Sequence, residues 1–335
     1  MPDVASQRSR GLVLAAGLQT DFVSPLSSGL GRYTYYEESL NTTEAPAEDN
    51  ELGLETHDDR SPTDPGPGSK GGQGSIVVPA DLNQLGFWLT LLLGTPDTTD
   101  NEDGSWTHVF ESGADTLPSA TLQRALGSGR WKIAKGLMVN SIAFGLAKSE
   151  DGYRTFRLDC MAREVYTAGA PIEADPAAMA ARAKLPAKRG LTRLNSVVNA
   201  QLVSGEFTFA NNLQREDYAD SADDAGDLAS AMEPGDLSFS GNPTYRFKRG
   251  AALNGAIDLF TSHTTPFAHE IEYARSDTSS LLIATPRCFA PPAVPAANGP
   301  GPVDFSTSIT ARQVVGETPA PLMTVTLTNA VESYS

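Results

Sequence analysis

Histidine is the side chain most often used for metal binding and general acid–base chemistry, and this chain has four. None has a second histidine at the spacing of a helical zinc site, and no H-E-x-x-H occurs. His263 and His269 lie on either side of a proline and could meet in a turn, but their spacing matches no zinc motif. His57 and His108 stand alone, and His57 precedes two aspartates in a polar stretch. The sequence therefore predicts no metal site.

Carboxylates are plentiful, and a glycoside hydrolase would need two of them in a shaped cleft, with the pKa of one raised. The acidic residues concentrate instead in polar stretches rich in proline and glycine, where solvation is the simplest interpretation. DNEDG at 100–104 lacks the regular ligand spacing of a calcium loop. The sequence predicts no catalytic carboxylate. The acidic residues of two such stretches include Glu48, Asp49, Glu51, Asp58, Asp59, Asp217, Asp220, Asp223 and Asp224.

Two further patterns carry little weight. GPGSKG at 66–71 fits G-x-G-x-x-G, but a strand follows it where a dinucleotide site needs a helix. Cys160 and Cys288 are the only cysteines, too few for a disulfide framework or a zinc site, and we expect two buried thiols. We therefore expect no cofactor and a protein that is not an enzyme.

Composition and charge narrow the class of protein further. The chain has 335 residues and a formal net charge of −16, which argues against a basic nucleic-acid-binding face. An acidic surface favours solubility and repels anions. No run of 18 apolar residues occurs, so we expect no membrane insertion. GLVLAAGL at 11–18 follows two arginines but is short and lacks a clear cleavage site, so we expect an ordinary N-terminal segment.

The strongest element is a helix predicted at 81–93, inside PADLNQLGFWLTLLLGTP. Asp81 and Gln84 have the spacing of a capping box, and Gly94 and Pro96 supply a stop signal. Apolar residues recur at helical spacing and spread until the last two turns have little polar surface. Such a helix is buried on several sides. Either the helix is buried entirely within its own fold, or one of its faces also contacts a neighbouring subunit.

Three segments separate the predicted strands. Residues 41–74 and 213–235 are long acidic stretches, and the first is too long for an idle loop, so it is either disordered or ordered by another chain. Residues 169–194 form a basic connector, with a helix predicted at 176–183. The connector is interpreted as a solvated linker or as an arm that docks a partner. Its cations are Arg182, Lys184, Lys188 and Arg189.

Most of the rest alternates as strands do. Residues 131–167 predict a hairpin with apolar groups on both faces of its first strand, and 321–334 alternates cleanly. The order strand, acidic loop, strand, helix, strands occurs twice, with GAALNGAIDLFTSH at 250–263 in the second helix position. We predict a mainly β fold, a sandwich or barrel with a flanking helix, possibly duplicated. The predicted units are 1–168 and 195–335, joined by the connector at 169–194.

This layout resembles the major tail tube proteins of long-tailed (siphovirus-type) bacteriophages. The resemblance is carried by RYTYYEESL with the acidic loop after it, by GSIVVPADLNQLGFWLTLLLG, by KGLMVNSIAFGLA, by GDLSFSGNPTYRF and by VTLTNAVESY. The connector and the length of the first acidic loop do not map onto the family.

The resemblance implies a structural virion protein, made in the host cytoplasm, that stacks as rings into a tube for DNA passage. A duplicated chain implies three subunits per ring with pseudo-sixfold symmetry, and a single unit implies six. Implied partners are the tail terminator, the tail-tip proteins and the tape measure protein. We expect inter-ring contacts from the two acidic loops, through the nine acidic residues named above. We expect contacts between subunits from Leu85, Trp88, Leu89 and Leu92.

Two other classes remain open at this stage. A capsid-decoration protein would share the β fold and form trimers without polymerising. A secreted carbohydrate-binding protein or hydrolase would also be acidic and strand-rich. It would need a signal peptide and an exposed aromatic platform, and aromatic residues are only 7% of this chain, which disfavours it.

Overall fold

A computed structural model describes residues 11–48, 64–66, 68–147, 150–199, 201–217, 227–247, 259–260, 262–295, 300–314, 316 and 320–334. The fold is mainly β with antiparallel pairing, and helix α1 spans Leu85–Leu93. The predicted mainly β fold class with a helix is confirmed.

The first part of the chain contributes β1 (Leu14–Leu18), β2 (Gly31–Tyr33), β3 (Glu37–Glu38), β4 (Asn41–Glu44), β5 (Lys70–Pro79), β6 (Asp97–Asp100), β7 (Trp106–Glu111), β8 (Ala120–Gly127), β9 (Arg130–Ala147), β10 (Thr155–Ala162) and β11 (Glu164–Ala168). The second part contributes β12 (Leu191–Leu194), β13 (Val197–Val198), β14 (Leu202–Ala210), β15 (Gln214–Glu216), β16 (Ala231–Glu233), β17 (Ser238–Gly241), β18 (Thr244–Arg246), β19 (Phe267–Ser276), β20 (Ser279–Phe289), β21 (Asp304–Ser306), β22 (Ile309–Ala311) and β23 (Thr324–Asn329).

Strand β9 belongs to two sheets. Its first part lies in a smaller sheet of order β2-β1-β8-β9-β11, and its second part lies between β10 and β14 in a larger sheet. The strand bends between these parts at Gly136, whose φ is +60°. A Cβ at this position would lie 2.8 Å from the carbonyl oxygen of Phe22. Glycine is therefore required where β9 passes from one sheet to the other.

The larger sheet closes around the main core. From β9 the pairing continues through β14, β17, β22 and β20 to β19 and β12, while β10 pairs with β5 on the other side. The ring of Phe207 on β14 stacks 5.9 Å from that of Phe144 on β9, and it lies 4.9 Å from the imidazole of His269 on β19. Strands that are distant along the sheet thus face each other across one core, as in a sandwich.

The predicted hairpin at 131–167 is confirmed. Strands β9 and β10 pair antiparallel from Arg157 opposite Ala143 to Met161 opposite Met138. Leu137, Met138 and Val139 are consecutive and all buried, so both faces of β9 are covered there, as predicted.

The helix begins later than predicted, and the expected capping box is wrong. Helix α1 starts at Leu85, and no side chain caps it. The Asp81 carboxylate is fully buried and accepts hydrogen bonds from the N–H groups of Asn83 (3.2 Å) and Ala183 (3.1 Å). Because Asp81 binds the connector, it is not available to cap the helix.

The other half of the predicted box, Gln84, is also used elsewhere. Its Oε1 accepts hydrogen bonds from the N–H (3.0 Å) and the hydroxyl (2.8 Å) of Thr34. The stop signal is confirmed, since Gly94 has a φ of +97° and a ψ of −175°, a conformation essentially restricted to glycine.

The two ends of the stretch predicted as a loop at 41–74 pair with each other as an antiparallel hairpin. Strand β4 pairs with the first residues of β5, from Asn41 opposite Gln73 to Glu44 opposite Lys70. Strand β5 therefore begins at Lys70, inside the stretch predicted to be a loop. Residues 49–63 lie outside the described residues.

The connector contains no helix in its described residues, so the helix predicted at 176–183 is wrong. Its backbone bonds to the body of the protein instead: the N–H of Ala177 donates to Leu30 O (2.9 Å), and that of Leu185 donates to Ala80 O (3.0 Å). Ala183, Leu185 and Ala187 are buried. The connector is thus a packed strap, not a solvated linker.

Two predictions about the second half are not tested. Most of the element predicted at 250–263 lies outside the described residues. The division at 168 and 195 stays a prediction. Strand pairing crosses it, because β9 pairs with β14 and β7 pairs with β23.

Candidate assembly surfaces

Two of the described histidines, His108 and His269, serve the fold. His269 is fully buried, its Nε2 lies 3.1 Å from the Thr192 hydroxyl, and burial lowers its pKa to about 4. The Nδ1 of His108 lies 2.8 Å from the Thr98 hydroxyl, its Nε2 lies 2.8 Å from Val331 O, and burial lowers its pKa. In the part of the chain that the structure describes, no group of three or more His, Cys, Asp or Glu is placed to hold a metal ion.

Both cysteines are free and buried, as predicted. Burial raises the pKa of the Cys160 thiol and that of the Cys288 thiol, so both stay protonated near neutral pH. Burial and protonation of both thiols are consistent with cysteines that pack in the core.

The four helix residues predicted to contact a neighbouring subunit lie inside their own subunit. Leu85, Trp88, Leu89 and Leu92 are between 0% and 2% exposed. Every residue of α1 is buried. This burial supports the interpretation of the helix as core. A contact between these side chains and a neighbouring subunit stays a prediction, and it would require the helix to be uncovered during assembly.

The C-terminal residues cover one side of this helix. The ring of Tyr334 lies over Gly86, where an added Cβ would be 2.1 Å from its Cζ. Asn329 Nδ2 donates to Leu82 O (2.6 Å) and to the Tyr334 hydroxyl oxygen (2.6 Å). The tail is thereby fixed against the first turn of the helix.

The structure describes two of the nine acidic residues predicted to make inter-ring contacts. Glu48 and Asp217 are both exposed, Glu48 beyond β4 and Asp217 beyond β15. The other seven lie outside the described residues: Asp49, Glu51, Asp58, Asp59, Asp220, Asp223 and Asp224.

Each acidic stretch leaves the sandwich through a pair of strands. We name β4, β5 and the residues between them the first acidic hairpin. We name β15, β16 and the residues between them the second acidic hairpin, since Arg215 pairs with Met232 in an antiparallel ladder. Met232 and Leu213 pack on Met138 of β9, which anchors the second hairpin to the body.

The bases of these hairpins are joined. Lys70 Nζ lies 2.8 Å from Asp227 Oδ2, and the Lys70 N–H donates to Asp227 O (2.7 Å). Arg215 donates from Nη1 to Lys70 O (2.5 Å) and from Nη2 to Asp227 O (2.8 Å). The hydrogen bond between the side chains raises the pKa of Lys70 and lowers that of Asp227. We name these three residues the hairpin junction.

Sequence reasoning missed this junction, although a signal was present. Cations are scarce in the two acidic stretches, which contain Arg60 and Lys70 in the first and Arg215 alone in the second. A lone cation within acidic sequence is a candidate for a fixed ion pair, because it has several possible carboxylate partners. The pattern does not identify the partner.

The connector is held at the opposite end of β5. The backbone of Asp81, two residues beyond β5, pairs with that of Lys184 in an isolated antiparallel β-bridge. Arg154 is buried and donates to the carbonyl oxygens of Gly145 and Ala187, so it fixes the connector to the turn between β9 and β10. The cations at Arg182, Lys188 and Arg189 remain exposed.

Within the described ranges, no helix combines the length and apolar character that a bilayer span requires.

Fold and surfaces together define a β-sandwich protein with a buried helix and two acidic hairpins joined at their bases. A model of the family described as phage tail tube protein matches residues 9–328. The match covers nearly the whole chain, so the chain belongs to the phage tail tube protein family and is a structural component of the virion. This confirms the resemblance seen in the sequence, and such a family points to a non-enzymatic protein. No curated protein matches the chain.

Proposed function

We propose that the protein assembles into rings, that the rings stack into the hollow tail tube of a siphovirus-type phage, and that the genome passes through this tube to the host. The family match over residues 9–328 carries the proposal. Proposed partners are further copies of the chain, the tail terminator, the tail-tip proteins and the tape measure protein. The subunit is made in the host cytoplasm before it joins the virion.

Stacking needs surfaces that reach from one ring to the next. The two acidic hairpins are candidates because the hairpin junction holds their bases together at one end of β5. Glu48 and Asp217 are exposed where the hairpins leave the body, which supports an inter-ring role for the acidic residues that follow them.

A ring of three subunits with pseudo-sixfold symmetry follows if the chain is an internal duplication. Each predicted unit contributes one acidic hairpin, which supports a duplicated layout. A ring of six follows if the whole chain acts as a single unit.

Passage of DNA requires a wall to which phosphates do not adhere. A basic wall would bind DNA through release of its counterions. The net charge of −16 supports a channel that repels the duplex along its length.

Negative-stain electron microscopy of the purified full chain, with light scattering on the same sample, tests the proposal. We expect rings or tubes with a central channel a few nanometres wide, and the mass of the ring separates three subunits from six. A protein that stays monomeric at high concentration, even when seeded with purified phage tails, would contradict tube assembly.

A further inference from the structure

The two ends of β5 differ in charge. At the Lys70 end, the first acidic hairpin continues through Glu44 and Glu48, and the second acidic hairpin adds Asp217, all of them exposed. At the Pro79 end lies the connector with its exposed cations. A strand of ten residues spans about 30 Å. One subunit therefore has an acidic end and, about the length of this strand away, a group of exposed cations that lies among the carboxylates of Glu150, Asp151 and Asp277.

The basic end is a fixed surface. We name Arg182, Lys188, Arg189 and Arg275 the basic patch. Arg189 Nη1 donates to Arg275 O (2.9 Å), and Arg275 Nη1 donates to Arg182 O (3.2 Å), so the connector and the end of β19 hold each other in place. Ordering these side chains before contact lowers the entropy lost on binding.

Three of the four cations of the patch have no ion pair within the described part of the chain. Lys188 pairs with Asp151 at 2.7 Å. Arg182, Arg189 and Arg275 have no carboxylate at ion-pair distance among the residues that the structure describes. These three arginines stand out on a chain with a net charge of −16, in which most surfaces repel anions.

Exposed aromatic rings adjoin the patch. Lys184 Nζ lies 5.4 Å from the ring centre of Tyr36 and 5.6 Å from that of Tyr153, and these tyrosines are 50% and 56% exposed. Tyrosine and arginine are enriched among the residues that contribute most to protein interfaces. The basic patch and its neighbouring tyrosines thus combine the residue types that are typical of a protein interface.

We infer that the basic patch receives the acidic hairpins of a second copy of this chain in the adjacent ring. This inference rests on the proposed tube function and names the surface that the hairpins contact. An interface between unlike surfaces at opposite ends of a subunit repeats without closing, which is how a stack grows. Complementary charge also favours one orientation of each ring on the next.

Charge reversal tests the inference. The variant Arg182→Glu/Arg189→Glu reverses the charge of two of the four cations of the patch. The matched control, Arg130→Glu/Arg312→Glu, changes the net charge equally at two exposed arginines outside the patch and both hairpins. Thermal unfolding checks that both variants fold like the natural protein. Sedimentation and negative-stain microscopy then measure the polymer formed.

We expect the patch variant to form rings but about tenfold less polymer, and the control to polymerise normally. Adding Glu48→Lys to the patch variant should partly restore tubes, because a favourable charge pair then returns to the contact, whereas Asp217 is left unchanged because it pairs with Arg215 at 2.7 Å. Normal tubes from the patch variant would overturn the inference and leave the proposed function intact. Failure of the natural protein to form tubes under any condition would overturn both.

A nucleic-acid role for the patch is a separate outcome. If the natural protein bound duplex DNA, and the patch variant lost that binding while still forming tubes, the patch would belong to DNA and the inter-ring assignment would be overturned.

Discussion

The ammonium of Lys70 lies 2.8 Å from the carboxylate of Asp227, and this ion pair joins two hairpins that are far apart in the sequence. Arg215 reinforces the joint from the second hairpin by donating to the carbonyl oxygens of both residues. The two acidic hairpins thus leave the sandwich from one shared base.

Replacing Lys70 with methionine should loosen the second hairpin without unfolding the sandwich. The side chain of Lys70 is 42% exposed, so the pair adds little to global stability, but its loss leaves Asp227 without its cation. We expect faster hydrogen exchange at 214–216 and 231–233 and an almost unchanged melting temperature. Lys70→Arg keeps the charge and is the control. Equal exchange rates in the natural protein and Lys70→Met would show that Arg215 and the Met232 contacts hold the hairpin alone.

Periodic patterns predicted the regular parts of this fold well. In β23, Val325 and Leu327 point inward while Thr324, Thr326 and Thr328 are half-buried, as the strict alternation of the sequence indicates. Local patterning is sufficient there, because one face of the strand contacts the core and the other does not.

The connector and the first acidic hairpin could not be predicted in this way. Residues 176–183 are rich in alanine, which favours a helix, but Ala177 and Ala183 instead hydrogen-bond to the body of the protein. Strand β4 has the sequence NTTE, which carries no apolar alternation, and it forms because β5 offers a free edge. Tertiary partners determine both segments, and a single sequence does not reveal which partners they will be.

The candidate surfaces were predicted only in part. The exposure of Glu48 and Asp217 follows from their polar surroundings. The burial of Trp88 depends on Tyr33, and that of Gly86 depends on Tyr334 of the C-terminal tail, and both contacts are long-range.

Gly86→Ala should weaken the contact between helix α1 and the C-terminal tail. The new Cβ would meet Tyr334 at 2.1 Å, so the ring must move, at a cost of about 1–3 kcal/mol in the free energy of unfolding. Urea denaturation measures this cost. Gly169→Ala, at a position with open space, should change the unfolding free energy little. The double variant Gly86→Ala/Tyr334→Ala removes the clash, and an additive loss in that protein would contradict the proposed contact.

Glu38→Gln should destabilise the joint between the two sheets. The Glu38 side chain is fully buried and lies 2.6 Å from Arg124 Nε and 3.1 Å from Lys132 Nζ, with both cations in the smaller sheet. Without the carboxylate, two largely buried cations on neighbouring strands repel each other, at a cost of about 3 kcal/mol. The exposed neighbour Glu37 provides the matched control, because Glu37→Gln should shift the urea midpoint very little. Similar midpoints for the two variants would mean that Glu38 does not hold the sheets together.

His269 should make stability depend on pH below neutrality. Burial lowers its pKa from 6.5 to about 4 in the folded protein, so the unfolded chain binds more protons between these values. The contribution of neutral His269 is fully present above pH 6.5 and is lost progressively towards pH 4, by about 3 kcal/mol in total. Urea unfolding across this range should show a smaller pH slope for His269→Gln than for the natural protein. The matched control is His263→Gln, which removes an exposed histidine. Parallel slopes for the natural protein and His269→Gln would show that His269 is not held neutral by the fold.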